Sequence, residues 1–259
     1  MPYTVIDDLK VYYEVHGEGE ECAVLLHNGF SCAKMWHEIW PALVEAGYRV
    51  VMFDRRGYGR SEEGADFEAY YTDESFRSES VSTMARLMDS LGLDSFHIVG
   101  QCEGGVVGVD YAAAYPQQVK TLTTASTLCH SRKTMEDFNR EKFPPVYSDL
   151  APEIQEKYID WHGPDRAERF YRLCTRYGGE YGRGMFDLRE ALPSVSCPTL
   201  VMYPDRGYFF EVEQGVDFYR SLPDGELMVF PKCGHNIHEH YPREYVRQVV
   251  GFHRRRKDH

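Results

Sequence analysis

The sequence predicts an α/β fold: a mostly parallel sheet of about eight strands with helices on both faces and an inserted helical lid. Three observations predict it. Short apolar runs at residues 22–26, 49–53, 96–99, 119–125, 199–203 and 226–230 alternate with segments of helical periodicity. A glycine-flanked turn, Val99-Gly100-Gln101-Cys102-Glu103-Gly104-Gly105, joins one run to a small-residue helix over 106–115. One interval, 129–195, breaks the rhythm and carries no buried strand pattern.

The elements follow in order. Lys10-Val11-Tyr12-Tyr13-Glu14-Val15 alternates apolar and polar residues ahead of His16-Gly17-Glu18-Gly19, the pattern of an opening antiparallel hairpin. Helical periodicity marks 36–46 and 78–91 between the next strands. Runs without alternation are expected of parallel strands covered on both faces, and a site should open at their carboxyl ends. In the interrupting interval, polar and aromatic helical stretches cover 153–162 and 166–177, and a glycine-rich run covers 178–184. The chain therefore divides into a first core part, 1–128, a helical cap, 129–195, and a second core part, 196–259.

Composition bounds the function. The 259 residues suit one such domain with a cap, and 42% hydrophobic with 27% charged residues is ordinary for a globular protein. A formal net charge of −12 argues against a nucleic-acid surface, and the basic run Arg254-Arg255-Arg256-Lys257 reads as a solvated tail. No apolar run approaches the roughly 20 residues that span a bilayer, and Met1-Pro2-Tyr3-Thr4 lacks the regions of a signal peptide. Seven cysteines without a C-x-x-C pair fit a reduced, cytoplasmic protein with no metal site. The expected partner is a small-molecule substrate, with no cofactor, nucleic acid or membrane, in a monomer or homodimer.

Five landmarks occur in sequence: Leu26-His27-Asn28-Gly29-Phe30, Asp54-Arg55-Arg56-Gly57-Tyr58-Gly59-Arg60-Ser61, the cysteine turn, Cys197-Pro198-Thr199-Leu200-Val201-Met202-Tyr203, and Gly234-His235-Asn236-Ile237-His238. Together they resemble the α/β-hydrolase superfamily along nearly the whole chain. The G-x-C-x-G-G turn is similar to the cysteine elbow of dienelactone hydrolases. The resemblance implies that Cys102 is the nucleophile and His235 the base, and that the backbone N–H of Glu103 and one from Gly29 or Phe30 hold the oxyanion. A thiolate is intrinsically more nucleophilic than a hydroxyl, and a helix N-terminus favours it. His27 is expected to pin its loop, and His238 and His240 to pack theirs.

The acid departs from the family's pattern. Pro204-Asp205-Arg206-Gly207 places a glycine where the triad carboxylate usually sits. Asp205 is the first candidate to orient His235, with turn capping as its competing role. Glu211 and Glu213 follow later, and a Cys–His dyad is a further alternative. Glu103 is unusual beside a thiol, because its charge opposes thiolate and oxyanion alike. It pairs with a cation such as Arg206, points to solvent, or handles a proton. Trp36, Tyr208 and Phe209 are expected to line an aromatic pocket, with Phe30, Phe210, Trp161, Phe170 and Tyr171 near it.

The leading expectation is a cysteine-dependent hydrolase of a carboxylic ester, lactone or thioester with an apolar or aromatic acyl group. The alternatives are an acyltransferase or carbon–carbon bond hydrolase on the same fold, or a degenerate ligand-binding relative.

Overall fold

A computed structural model describes residues 2–175 and 181–257. Residues 176–180 lie outside it, and with them the end of the helix expected over 166–177 and the start of the glycine-rich run at 178–184. Strands β1 (Tyr3–Ile6) and β2 (Leu9–His16) form the opening hairpin. Its two turn residues, Asp7 and Asp8, have φ of 50° and 63°, the left-handed region that aspartate tolerates better than most residues. Then follow β3 (Glu21–Leu26), β4 (Tyr48–Phe53), β5 (Phe96–Gln101), β6 (Val119–Ala125), β7 (Thr199–Pro204) and β8 (Gly225–Phe230). The sheet order is β1-β2-β4-β3-β5-β6-β7-β8, parallel from β4 onward and antiparallel at β1–β2 and β2–β4.

The helices are α1 (Trp40–Glu45), α2 (Phe67–Tyr71), α3 (Phe76–Ser90), α4 (Glu103–Ala114), α5 (Met135–Lys142), α6 (Pro152–His162), α7 (Ala167–Cys174), α8 (Val212–Ser221), α9 (Ile237–His240) and α10 (Pro242–Lys257). Alternate residues of each central strand feed opposite cores. Val24, Leu26, Val51, Phe53 and Ile98 pack with Met84 and Leu87 of α3, Val107 of α4 and Phe218 of α8. Ala23, Leu25, Val50, Met52 and Val99 pack with Leu43 of α1 and Tyr245, Val249 and Phe252 of α10. Burial on both faces is why these strands lack alternation.

Two boundaries differ from the sequence reading. The helix expected over 36–46 begins only at Trp40, because Trp36 closes a separate 3₁₀ turn, Ala33–Trp36. The basic run at the C-terminus belongs to α10 and is not a free tail: Arg255 pairs with Glu226, and Arg256 with Asp224 and Glu226 of the β8 region. All seven cysteines are free. No helix among the described residues is long and apolar enough to cross a membrane.

Between β6 and β7 the chain leaves the sheet to form α5, α6 and α7. Phe170, Tyr171, Leu173 and Cys174 of α7 and Tyr158 of α6 meet Tyr58, Phe67, Tyr70, Tyr71 and Phe76 in a third apolar cluster. That cluster seats the inserted helices beside the carboxyl ends of β3 and β4.

Candidate active site

The turn after β5 sets the geometry. Cys102 has φ 53° and ψ −117°, a strained conformation for a side-chain-bearing residue, and α4 starts immediately after it. A Cβ on Gly100 would stand 2.6 Å from the Gly105 nitrogen, and one on Gly104 2.6 Å from the His27 carbonyl oxygen, so only glycine lets strand and helix approach. The Cys102 amide donates to the Ala125 carbonyl at 2.8 Å and ties the turn to β6. The sulfur faces the backbone N–H groups of Glu103 and Gly29, which favour its thiolate. Burial and then the Glu103 carboxylate act more strongly, and the thiol is pushed up to about 12.

The loop after β3 is locked from within. His27 accepts the Arg55 N–H at Nε2 (3.1 Å), so its Nδ1–H donates to the Asn28 carbonyl (2.7 Å). Buried between these partners, His27 stays neutral, held well below the usual histidine range by desolvation. It pins the loop. Asn28 Oδ1 accepts the N–H groups of both Phe30 and Ser31 at 2.9 Å. The Phe30 amide is thereby occupied, which leaves Gly29 as the loop amide facing the sulfur; Phe30 is corrected from oxyanion donor to cavity wall.

Glu103 pairs with a cation, but the cation is Arg55 and not Arg206. Arg55 Nη1 lies 2.5 Å from Glu103 Oε1, and the Tyr58 hydroxyl donates to the same oxygen at 3.0 Å. Arg55 is buried, donates to the Asn28 carbonyl at 3.1 Å and stacks its guanidinium 4.5 Å from the Tyr58 ring centroid. Arg206 is exposed and faces Asp205 at 3.8 Å. Sequence reasoning quoted Arg55 and Tyr58 without giving them this role. The signal was present, because a carboxylate beside a thiol requires a nearby cation, and β4 neighbours β3 in the sheet.

His235 sits on the loop after β8. Its carbonyl receives Gln101 Nε2 (2.9 Å) and Ser126 Oγ (2.7 Å), and its ring packs on Phe210 with centroids 4.4 Å apart. Its Nδ1 is buried and has no hydrogen-bond partner among the described residues. Burial first, and then the neighbouring His238 and Lys142, push its pKa down to about 4. Asp205 does not orient it. Asp205 Oδ1 accepts the Cys233 N–H at 3.0 Å, and the Lys232 and Cys233 amides hold its carboxyl below the usual range. It caps the turn between β8 and His235, the competing role for Asp in such a sequence. Gly207 has no room for a replacement: a Cβ there would lie 2.5 Å from the Phe210 carbonyl oxygen.

Two chambers meet at Cys102. The inner one is walled by Phe30, Tyr71, Val106, Leu128, Phe210 and Glu103. The outer one, of ≈ 490 Å³, is lined by Phe30, Phe143, Trp161, Tyr208, His235 and Lys142. Tyr208, 59% exposed, lines the outer chamber. Trp36 does not: it is 0% exposed and packs against His238 and Tyr245 beneath the sheet. Phe209 is also buried and stacks on Phe138 at 4.1 Å, which leaves its neighbour Phe210 to face both chambers. Phe170 and Tyr171 glue α7 to the core.

A family model described as alpha/beta hydrolase fold matches residues 23–169, more than half of the chain. The chain belongs to the α/β-hydrolase family. It is similar along its length to enzymes of that family. One is a 2-hydroxy-6-oxononadienedioate/2-hydroxy-6-oxononatrienedioate hydrolase of Burkholderia vietnamiensis, 25% identical over 96% of this chain and 92% of the relative. Another is a 2-hydroxy-6-oxo-6-phenylhexa-2,4-dienoate hydrolase of Comamonas testosteroni, 24% identical over 97% and 93%. Among solved structures, a meta-cleavage product hydrolase from Pseudomonas fluorescens superposes with TM-score 0.76 at 19% identity, covering 95% of this chain and 94% of that one. The enol-lactonase from Burkholderia xenovorans gives 0.73 at 19%, covering 97% and 99%. Both solved structures share the fold of this α/β hydrolase.

Proposed function

We propose that this hydrolase cleaves a small carbonyl compound at Cys102, and that the bond broken is a carbon–carbon bond beside a ketone. The observation that carries the reading is the position of Cys102 in the wall of both chambers. A substrate bound there has one part in each, with the carbonyl at the sulfur. Lys142 in the outer chamber suits an anionic leaving portion, and the names of the full-length relatives are those of hydrolases of oxo-dienoates and oxo-dienedioates.

In this mechanism His235 takes the thiol proton as sulfur attacks the carbonyl carbon. The C–S bond forms, the carbonyl electron pair moves to oxygen, and the N–H groups of Glu103 and Gly29 receive the oxyanion. Collapse restores the carbonyl and expels the neighbouring carbon with the bonding pair, which the imidazolium protonates. Water, deprotonated by His235, then hydrolyses the thioester and frees the acid and the thiol.

A second reading, cleavage of an ester, lactone or thioester with an apolar acyl group, is favoured by the low basicity of His235. An imidazolium of pKa about 4 is a strong acid toward a departing alkoxide or thiolate. The experiment compares a 2-hydroxy-6-oxo-dienoate, followed by loss of its dienol absorbance, with aryl esters and an enol lactone. Preferential turnover of the dienoate is expected, together with a loss of at least roughly a thousandfold in Cys102→Ala. Turnover of the esters alone establishes the second reading, and activity surviving Cys102→Ala overturns both.

A further inference from the structure

Glu103 is placed where a hydrolase of this kind gains nothing from a negative charge, yet the chain holds it there firmly. Oε1 takes the Arg55 guanidinium at 2.5 Å and the Tyr58 hydroxyl at 3.0 Å. The Tyr58 oxygen is itself 3.3 Å from the Tyr71 hydroxyl, so the clamp extends into the wall of the inner chamber. The second oxygen, Oε2, receives no hydrogen-bond donor among the described residues and lies against Gly29: a Cβ on Gly29 would stand 2.9 Å from it. Glu103 lines the inner chamber beside Cys102 and Gly29; Val106, Val107, Leu128 and Phe186 are apolar neighbours there, and of the polar ones, Asn139 and Arg77, the guanidinium is paired with Asp110 at 2.7 Å.

We propose that Glu103 Oε2 is a specificity determinant, a fixed acceptor in an otherwise mainly apolar chamber that selects substrates carrying a neutral hydroxyl or enol group close to the scissile carbonyl. An ionised carboxylate accepts hydrogen bonds and donates none. Its charge is balanced by Arg55, so the free oxygen favours a neutral donor over a cation and repels a substrate carboxylate, which is directed to the outer chamber. A substrate lacking the donor leaves Oε2 desolvated without compensation, and such a loss discriminates more strongly than a missing methylene. The inference rests on the two-chamber reading of the proposed function and adds that the acyl portion, in the inner chamber, carries a hydroxyl of its own, distinct from the dienol hydroxyl that leaves beside the carboxylate on the outer side.

The test uses binding and not turnover, so that it stands apart from the choice of bond cleaved. Two isosteric ketones, 4-hydroxy-2-butanone and 2-pentanone, are compared for their ability to slow alkylation of Cys102 by iodoacetamide at pH 9, read by intact mass. The hydroxyketone is expected to protect at about tenfold lower concentration, the equivalent of one hydrogen bond to a charged acceptor. The preference should vanish in Glu103→Met, which puts no acceptor or donor at this place, and should persist in Tyr58→Phe, which keeps the charge and Oε2. Should Glu103→Met fail to fold, Gly29→Ala supplies the same test by setting a methyl against Oε2 while leaving the Arg55 pair intact. Equal protection by the two ketones in the unmodified chain, or a preference that survives in Glu103→Met or Gly29→Ala, overturns the proposal. A protein that discriminates the ketones but cleaves no dienoate keeps this inference and loses the proposed function.

Discussion

At the scale of single residues, Cys102 and His235, the proposed nucleophile and base, line the same outer chamber. The thiol is pushed up to about 12 and the imidazole down to about 4, so the resting pair is a neutral thiol and a neutral imidazole rather than an ion pair. Alkylation of Cys102 in the free protein should therefore climb throughout pH 7–10. A plateau established below pH 7 would show a preformed thiolate instead. The missing acid sharpens the picture. Asp205 holds the turn at Cys233 and not the His235 ring. Asp205→Ala should lower unfolding free energy by about 1 kcal/mol, the scale of a lost side-chain cap, while kcat stays within about tenfold of the parent. Loss of a true triad carboxylate costs nearer 10⁴-fold, and kinetics on the purified variant separates the two.

At the scale of elements, the loop after β3 depends on a helix far away in sequence. His162, at the end of α6, accepts the Gly59 N–H at Nδ1 (3.0 Å), so its Nε2–H donates to the Phe30 carbonyl (3.0 Å). Its ring stacks on Phe170 of α7 at 3.8 Å. Beside it, Arg166 donates to the Ser61 carbonyl at 3.2 Å, and Lys34 meets Asp160 at 2.7 Å. The inserted helices are thus bonded to the same two loops that flank Glu103 and Gly29. His162→Ala strands a buried donor and a buried acceptor, each worth about 1–3 kcal/mol. It should lower the unfolding midpoint and raise KM more than it lowers kcat; denaturant titration and steady-state kinetics on one preparation check both. The turn residues of this scheme were readable as motifs, because glycine spacing and the D-R-R-G-Y-G-R-S run are local patterns. The His162 bridge was not, since nothing near residue 162 indicates that its partners are Gly59 and Phe30.

Across the whole molecule, buried neutral histidines dominate the response to acid. His162, His235 and His238 are each pushed down to about 4 and His27 well below the usual histidine range, in every case chiefly by burial. Between about 4 and the unfolded value near 6.5, the unfolded chain binds more protons than the folded one. Their contribution to stability is complete above pH 6.5 and is lost as pH falls toward 4. Asp54, buried and raised to about 6, works in the opposite direction over the same window, but it is one group against four. The thermal unfolding midpoint should fall steadily from pH 7 to pH 4.5, and a flat profile over that range would contradict this assignment.

The sequence by itself determined the strand order along the chain, the placement of Cys102 on a glycine-flanked turn and the placement of His235 on the loop after the last strand. Each is encoded locally, by apolar run length or by the absence of a Cβ where backbones must touch. Tertiary structure alone decided which charges meet and which rings reach the cavity. Arg55 replaced Arg206 as the partner of Glu103 because β4 lies beside β3, and that brings the turn after β4 under the start of α4. Trp36 and Phe209 share the composition of pocket residues but face the core, while Phe210 faces the chambers. Side-chain direction in a loop follows from the backbone angles the packed neighbours impose, as at Phe209 with φ 70°, and not from residue type.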